Sequence, residues 1–304
     1  MQLSAAAADL TAGTVGGCLG IIVSQPFDVA KVRMQTSACA ASGVGQLLRA
    51  AVQAEGWVSV YKGLMPPLAS AGLVNAVVFL SYGSYIRAFS AAAADGAPPS
   101  TADVALGGAF AGFTTAFISN PTELVKCRQQ VDAGTVRPGS LAVARSIYRA
   151  EGAAGLNRGF ASCLLRDVPS FALYFVVYEW AKSGLTAALS ERSGSGGGGR
   201  SVEVGAPAAS SKWLPTLAAG GVAGVVAWTS VYPVDTLKSI IQTQPGASAG
   251  GGLVGLTQRV VRAHGAGHLW RGYGACMARV FLQASSTFFG YEYAMERLAT
   301  APAR

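Results

Sequence analysis

Apolar residues run through this chain in six long blocks, at residues 10–35, 66–89, 103–130, 160–189, 213–242 and 273–298. Each reads as a helix, and stretches of about 20 or more apolar residues suit a bilayer core roughly 30 Å thick. The blocks come in pairs. Between the members of each pair lies a shorter stretch, at 44–54, 140–150 and 253–263, whose apolar positions recur at helical spacing along one face. The pattern predicts six spans, with one surface helix between the two spans of each pair.

The pairing is a true repeat. "PFDVAKVRMQ" begins at Pro26, "PTELVKCRQQ" at Pro121 and "PVDTLKSIIQ" at Pro233. Each is followed by a second block, "AEGWVSVYKG", "AEGAAGLNRG" or "AHGAGHLWRG", closing 37, 38 and 39 residues after its proline. A tyrosine follows at 56, 57 and 58 residues: Tyr82, Tyr178 and Tyr291. The prolines are 95 and then 112 residues apart, and the excess falls in the Gly/Ser-rich tract of residues 190–211, which reads as a flexible linker. The expected organisation is a first repeat over 1–95, a second over 96–190, a linker over 191–211 and a third repeat over 212–304.

Composition agrees with lipid burial. The 304 residues are 51% hydrophobic and 12% charged, against roughly 25% charged in ordinary soluble domains; mean hydropathy is +0.38. The net charge of +8 comes without a basic run or aromatic interleaving, so nucleic acid is not an expected partner. Of the 23 Lys and Arg, 14 lie between a motif acid and the closing glycine of the same repeat. By the positive-inside rule that face is the retained side, with both termini on the other. The five cysteines, Cys18, Cys39, Cys127, Cys163 and Cys276, lack CxxC spacing and read as reduced thiols. The N-terminus lacks the basic region of a secretory signal or cleavable transit peptide. His264 and His268 are four apart but have no third ligand, so no metal is expected. No nucleophile set, phosphate-cradling loop or cofactor motif appears, so neither cofactor nor enzymatic turnover is expected. Gly13 with Gly17, Gly16 with Gly20, Gly108 with Gly112 and Gly220 with Gly224 are four apart and are expected to pack helices closely.

Pro26, Pro121 and Pro233 stand inside the odd-numbered spans and should kink them toward one axis. Asp28 with Lys31, Glu123 with Lys126 and Asp235 with Lys238 are each three apart and share a helix face. Charges within a span face the bundle interior and seek partners. Three acids and three lysines on converging helices can close a ring that plugs a cavity and remains openable, because desolvation opposes attraction.

The threefold Pro-x-acid-x-x-Lys motif, with its downstream acid-Gly and base-Gly blocks, resembles the mitochondrial carrier family over nearly the whole chain. The resemblance implies an all-α membrane protein: six transmembrane helices in three pseudo-symmetric two-helix repeats, each with a short matrix-side amphipathic helix, around a central cavity in the mitochondrial inner membrane. It implies a matrix gate pairing Asp28 with Lys126, Glu123 with Lys238 and Asp235 with Lys31, braced by Gln35, Gln130 and Gln242. It places the termini toward the intermembrane space. His264 replaces the acid that usually precedes the glycine. A second, cytosolic gate matches the family pattern incompletely. Tyr178, Glu179 and Lys182 keep it whole, Tyr291 and Glu292 are followed by Met295 in the basic place, and Tyr82 has Gly83 and Ile86 in the charged places. A weak gate on that side, and a resting state open to it, are the expectations.

Twelve residues before the three tyrosines stand Ser70, Arg166 and Arg279. At 1.5 Å per residue they lie roughly 18 Å along their helices, near mid-membrane and at one level. Arg166 and Arg279 carry forked donors suited to a carboxylate, and Asp167 offers a counter-charge for an ammonium. Neighbours on a helix do not face each other, so Arg166 and Asp167 are expected to stay available. By resemblance these are substrate contact points of the branch that carries amino acids and carnitine or acylcarnitine, with Asn75 a further contact. The acid that basic amino-acid members often have on the second span is absent. The expected function is exchange of a small zwitterion by alternating access; S-adenosylmethionine transport and a non-transporting scaffold are the alternatives. Membrane lipid such as cardiolipin is the other expected partner, and the chain is expected to be monomeric.

Overall fold

The computed structural model describes residues 5–36, 43–89, 99–131, 138–194, 210–244 and 252–300. Among these residues every regular element is helical: α1 (Ala5–Thr36), α2 (Val44–Glu55), α3 (Met65–Phe89), α4 (Thr101–Val131), α5 (Ser140–Leu156), α6 (Phe160–Gly194), α7 (Ser210–Thr243), α8 (Gly252–His264) and α9 (Tyr273–Thr300), with short 3₁₀ turns at Trp57–Tyr61 and Ala266–Trp270. The six long helices fall on the six apolar blocks. Pro26, Pro121 and Pro233 lie within α1, α4 and α7, and all three helices continue through them. The helix α6 runs on to Gly194 and α7 begins at Ser210, so both ends of the expected linker are helical. The remainder of that tract, and Cys39, lie outside the described residues.

Four stretches among the described residues are long and apolar enough to cross a bilayer: Thr11–Thr36, Trp57–Phe89, Thr101–Val131 and Phe160–Leu185. In α9, Gln283, Ser285, Ser286 and Thr287 dilute the apolar run. Part of that polarity has a structural reason. Arg279, Gln283 and Thr287 recur every fourth residue on one face, and all three line an internal cavity.

The long helices neighbour one another around that cavity. α3 lies along α4, α4 along α6, α6 along α7 and α9 along α1; α1 with α3 and α7 with α9 meet over shorter stretches. Glycines set two of the close seams. A Cβ on Gly16 would strike the Thr287 carbonyl of α9, and one on Gly112 would lie 2.5 Å from the Asp167 carbonyl of α6. Gly13 and Gly17 depart from the packing expectation, because open space surrounds both and Gly17 lines the cavity. The Gly220 and Gly224 positions are only in ordinary contact, with Tyr174 and Val280.

The second repeat block has a backbone reason. Its two glycines hold positive φ in all three copies: Gly56 and Gly63 at 82° and 72°, Gly152 and Gly159 at 65° and 79°, Gly265 and Gly272 at 80° and 80°. The first turns the chain out of the surface helix, and the second turns it into the next span. At Gly63 that turn presses against α4, at Gly159 against α7 and at Gly272 against α1, a cyclic order matching the repeat. At the start of α4, the Ser100 hydroxyl accepts from the Asp103 N–H at 3.2 Å while the Asp103 carboxylate accepts from the Ser100 N–H at 3.1 Å, a capping box.

Candidate functional site

The residue before each motif proline ties its helix to the surface segment of its own repeat. Gln25 donates to the Lys62 carbonyl at 2.7 Å, Tyr232 to the Arg271 carbonyl at 2.8 Å, and Asn120 to the Leu156 carbonyl at 3.5 Å. These ties hold the odd helices in register, and three acid–lysine contacts form between them. Lys31 Nζ lies 2.6 Å from Asp235 Oδ2, joining α1 to α7. Lys126 Nζ lies 2.6 Å from Asp28 Oδ2, joining α4 to α1. The Lys238 ammonium contacts the Glu123 carboxylate, joining α7 to α4. Five of the six side chains are largely buried; Glu123 keeps 31% of its surface open.

Gln35 and Gln130 sit beside the ring. Gln35 donates to Asp235 Oδ2 at 3.3 Å and to the Tyr232 hydroxyl at 3.1 Å, and Gln130 donates to Asp28 Oδ2 at 2.8 Å. Gln242 instead donates to Asn120 Oδ1 at 3.1 Å.

Beyond the ring opens a cavity of about 510 Å³. Ser70, Asn75 and Arg279 line it together with Asp28, Glu123 and Lys126, so residues from both expected sets share one space. The Ser70 hydroxyl is turned onto its own helix, donating to the Pro66 carbonyl at 3.0 Å. Arg279 donates from Nη1 to Gln283 Oε1 at 3.1 Å, and its Nε stands 3.5 Å from Asp28 Oδ1.

Arg166 and Asp167 correct an expectation. They do meet: Arg166 Nε donates to Asp167 Oδ1 at 2.6 Å. Backbone periodicity separates neighbouring Cβ atoms, but a long guanidinium stem can fold back once other carboxylates fix its far end. Here Nη1 donates to Asp235 at 3.1 Å and Nη2 to Glu123 at 2.9 Å. Asp167 also accepts from the Ser119 hydroxyl and the Cys163 thiol, both at 3.2 Å. Both residues are buried.

Trp228 escaped the sequence reading. Its ring lies 4.8 Å from Lys31 Nζ, 4.9 Å from the Arg279 guanidinium and 5.9 Å from that of Arg166, and it lines the cavity. A tryptophan five residues before a motif proline, far from the interfacial aromatic belts, was the available signal.

At the other end of the spans Tyr82 stacks on Phe175 with centroids 4.3 Å apart and abuts Gly107. Lys182 lies over the Tyr178 ring of its own helix at 5.6 Å, and Glu179 is exposed. Tyr291 packs near Gly16, and the Glu292 side chain lies outside the described residues.

At the end of the surface helix α2, Glu55 joins Arg33 through two contacts of 2.8 and 2.9 Å and Lys62 through one of 2.7 Å. Burial works against the Glu55 charge, but the Arg33 and Lys62 hydrogen bonds outweigh it and hold its pKa below the ordinary value. Glu151 pairs with Arg158 in the same place of the second repeat. In the third, His264 stacks edge-on to His268 at 4.7 Å.

The family model described as mitochondrial carrier protein matches residues 3–92, 97–188 and 209–301. Among curated relatives, the chain is 34% identical to the mitochondrial arginine transporter BAC2 of Arabidopsis thaliana, over 95% of this chain and 91% of that protein. It is 35% identical to the mitochondrial basic amino acids transporter of Homo sapiens, over 93% and 88%. It is 32% identical to a mitochondrial carnitine/acylcarnitine carrier-like protein of Arabidopsis thaliana, over 93% and 96%. With its three motif prolines, three ring contacts and three pairs of turning glycines, the chain belongs to the mitochondrial carrier family.

Proposed function

We propose that this chain carries a small amino-acid-like solute, bearing a carboxylate and a cation, across the mitochondrial inner membrane by alternating access. All six long helices span, and the surface helices and the closed charge ring face the matrix. The termini face the intermembrane space. The observation that carries the reading is the Arg279 guanidinium in a cavity directly above the paired acids and lysines. Arg279 receives the carboxylate. The partly open Glu123 carboxylate receives the cation, and Ser70, Asn75 and Trp228 line the wall. The relatives that move arginine and basic amino acids support the solute class. The wall of α3 offers Ser70 and Asn75 rather than an acid, and this favours carnitine-like zwitterions as a second reading. Asp28, Lys31, Glu123, Lys126, Asp235 and Lys238 act as the matrix gate, braced by Gln35 and Gln130.

The test is uptake into liposomes preloaded with unlabelled solute, using labelled arginine, ornithine, a neutral amino acid, carnitine and ADP. Uptake of an amino acid or carnitine is expected. Arg279→Ala should lower it by at least about tenfold, the worth of one charge-assisted contact. ADP as the preferred solute would overturn the reading.

A further inference from the structure

Arg166 and Arg279 hold equivalent places in the second and third repeats, yet their surroundings differ sharply. The Arg166 guanidinium engages three carboxylates on three helices: Asp167 of α6, Asp235 of α7 and Glu123 of α4, at 2.6, 3.1 and 2.9 Å. Arg279 has one long acid contact, 3.5 Å to Asp28, and its buried Nε has no hydrogen-bond partner. Four carboxylates at this level, Asp28, Glu123, Asp167 and Asp235, face five cations, Lys31, Lys126, Lys238, Arg166 and Arg279. One positive charge is in excess, and Arg279 is the cation whose acid contact is longest.

We infer that Arg166 is an interlock of the closed ring and not the group that grips the solute. The inference rests on the carrier reading above. While Arg166 holds Glu123 and Asp235, each of these acids serves a lysine and an arginine at once. The ring therefore parts only after Arg166 lets go. A solute cation supplies the means, because it competes for Glu123, the most exposed of the ring acids. Arg166 then keeps Asp167 as its partner, so release leaves no buried lone charge. A solute that carries a carboxylate alone would fill Arg279 and leave the interlock shut. Arg166 thus selects for a cationic group without itself binding the solute's carboxylate.

Cys163 reports the state of the interlock without any solute. Its side chain is fully buried, with Sγ 3.3 Å from Lys238 Nζ and 3.2 Å from Asp167 Oδ2. The experiment compares wild type, Arg166→Lys and Arg279→Lys in liposomes, following N-ethylmaleimide labelling of Cys163 by peptide mass spectrometry and, separately, uptake kinetics. Arg166→Lys keeps the charge, but a compact ammonium does not span three carboxylates that the guanidinium meets through three separate nitrogens. It should raise the Cys163 labelling rate about tenfold with no solute present and change KM by less than about threefold. Arg279→Lys should raise KM about tenfold and leave labelling unchanged. Unchanged labelling in Arg166→Lys overturns the interlock, as does a KM that rises as far as that of Arg279→Lys. Labelling needs no transport, so a wild-type chain that moves none of the solutes sinks the carrier reading while the interlock is still read.

Discussion

The first and third repeats share a backbone course and differ in what fastens it. In the first, Glu55 clamps Arg33 of α1 and Lys62 at the entrance to α3, and Arg33 also donates to the Gln130 carbonyl of the next repeat at 2.9 Å. In the third, Ile240 and His264 occupy the places of Arg33 and Glu55. There Leu237, Ile240, Ile241 and Leu256 form a buried apolar cluster, with Leu253, Val260 and Leu269 packed on it. An ion-pair clamp reinforces α2, whose Leu47 and Ala51 are also buried, while a larger apolar cluster seats α8. One level up, both repeats contribute an acid and a lysine to the same buried ring. The surface fastening is interchangeable because any contact that seats α2 or α8 will serve. The ring is not, because each of its pairs spans two repeats and a change in one orphans a charge in another.

The largest effect should come from breaking what the repeats share. Lys31→Ala leaves Asp235, 2% exposed, without its lysine and should cost about 3 kcal/mol, the lower end for an orphaned buried charge since Arg166 remains beside it. Thermal unfolding in detergent measures this, and Lys31→Ala with Asp235→Ala should recover part of the loss. Equal losses in the single and double variants would mean the pair is not a unit. Next, Leu256→Ala in the third repeat should cost about 2–3 kcal/mol by opening a cavity in the apolar cluster.

Glu55→Gln should cost about 1.5 kcal/mol, the worth of hydrogen bonds to a charged group. It should also remove a pH response. The Glu55 pKa is lowered in the folded chain, so its stabilisation is complete above the ordinary carboxylate value of 4.5 and is lost as pH falls through the lower folded value. Unfolding temperatures of wild type and Glu55→Gln should therefore converge on acidification. A gap that stays constant with pH would assign the effect to packing. The smallest change should come from giving the third repeat the acid it lacks: His264→Glu should add at most about 0.5 kcal/mol through Arg271, as an exposed pair does.

The repeat, the six long helices, the three surface helices and the recurring glycine blocks were all legible along the chain, though not that those glycines turn it. Each is local, set by hydrophobic period, by a proline or glycine at fixed spacing, or by charges three apart on one helix. That α6 and α7 run into the Gly/Ser-rich tract was not legible, because glycine and serine content says only that a segment need not be helical. Gly13 and Gly17 match the spacing of Gly16 and Gly20, yet only the second pair meets another helix, since spacing cannot say which face a neighbour covers. The same limit hid Trp228 and mistook Arg166 for a free donor. A sequence names the acids and bases of a span and the order in which they rise. Only the assembled bundle brings Glu123, Asp167 and Asp235 from three helices around one guanidinium, because in a low-dielectric interior a charge goes to whichever partner the other helices deliver.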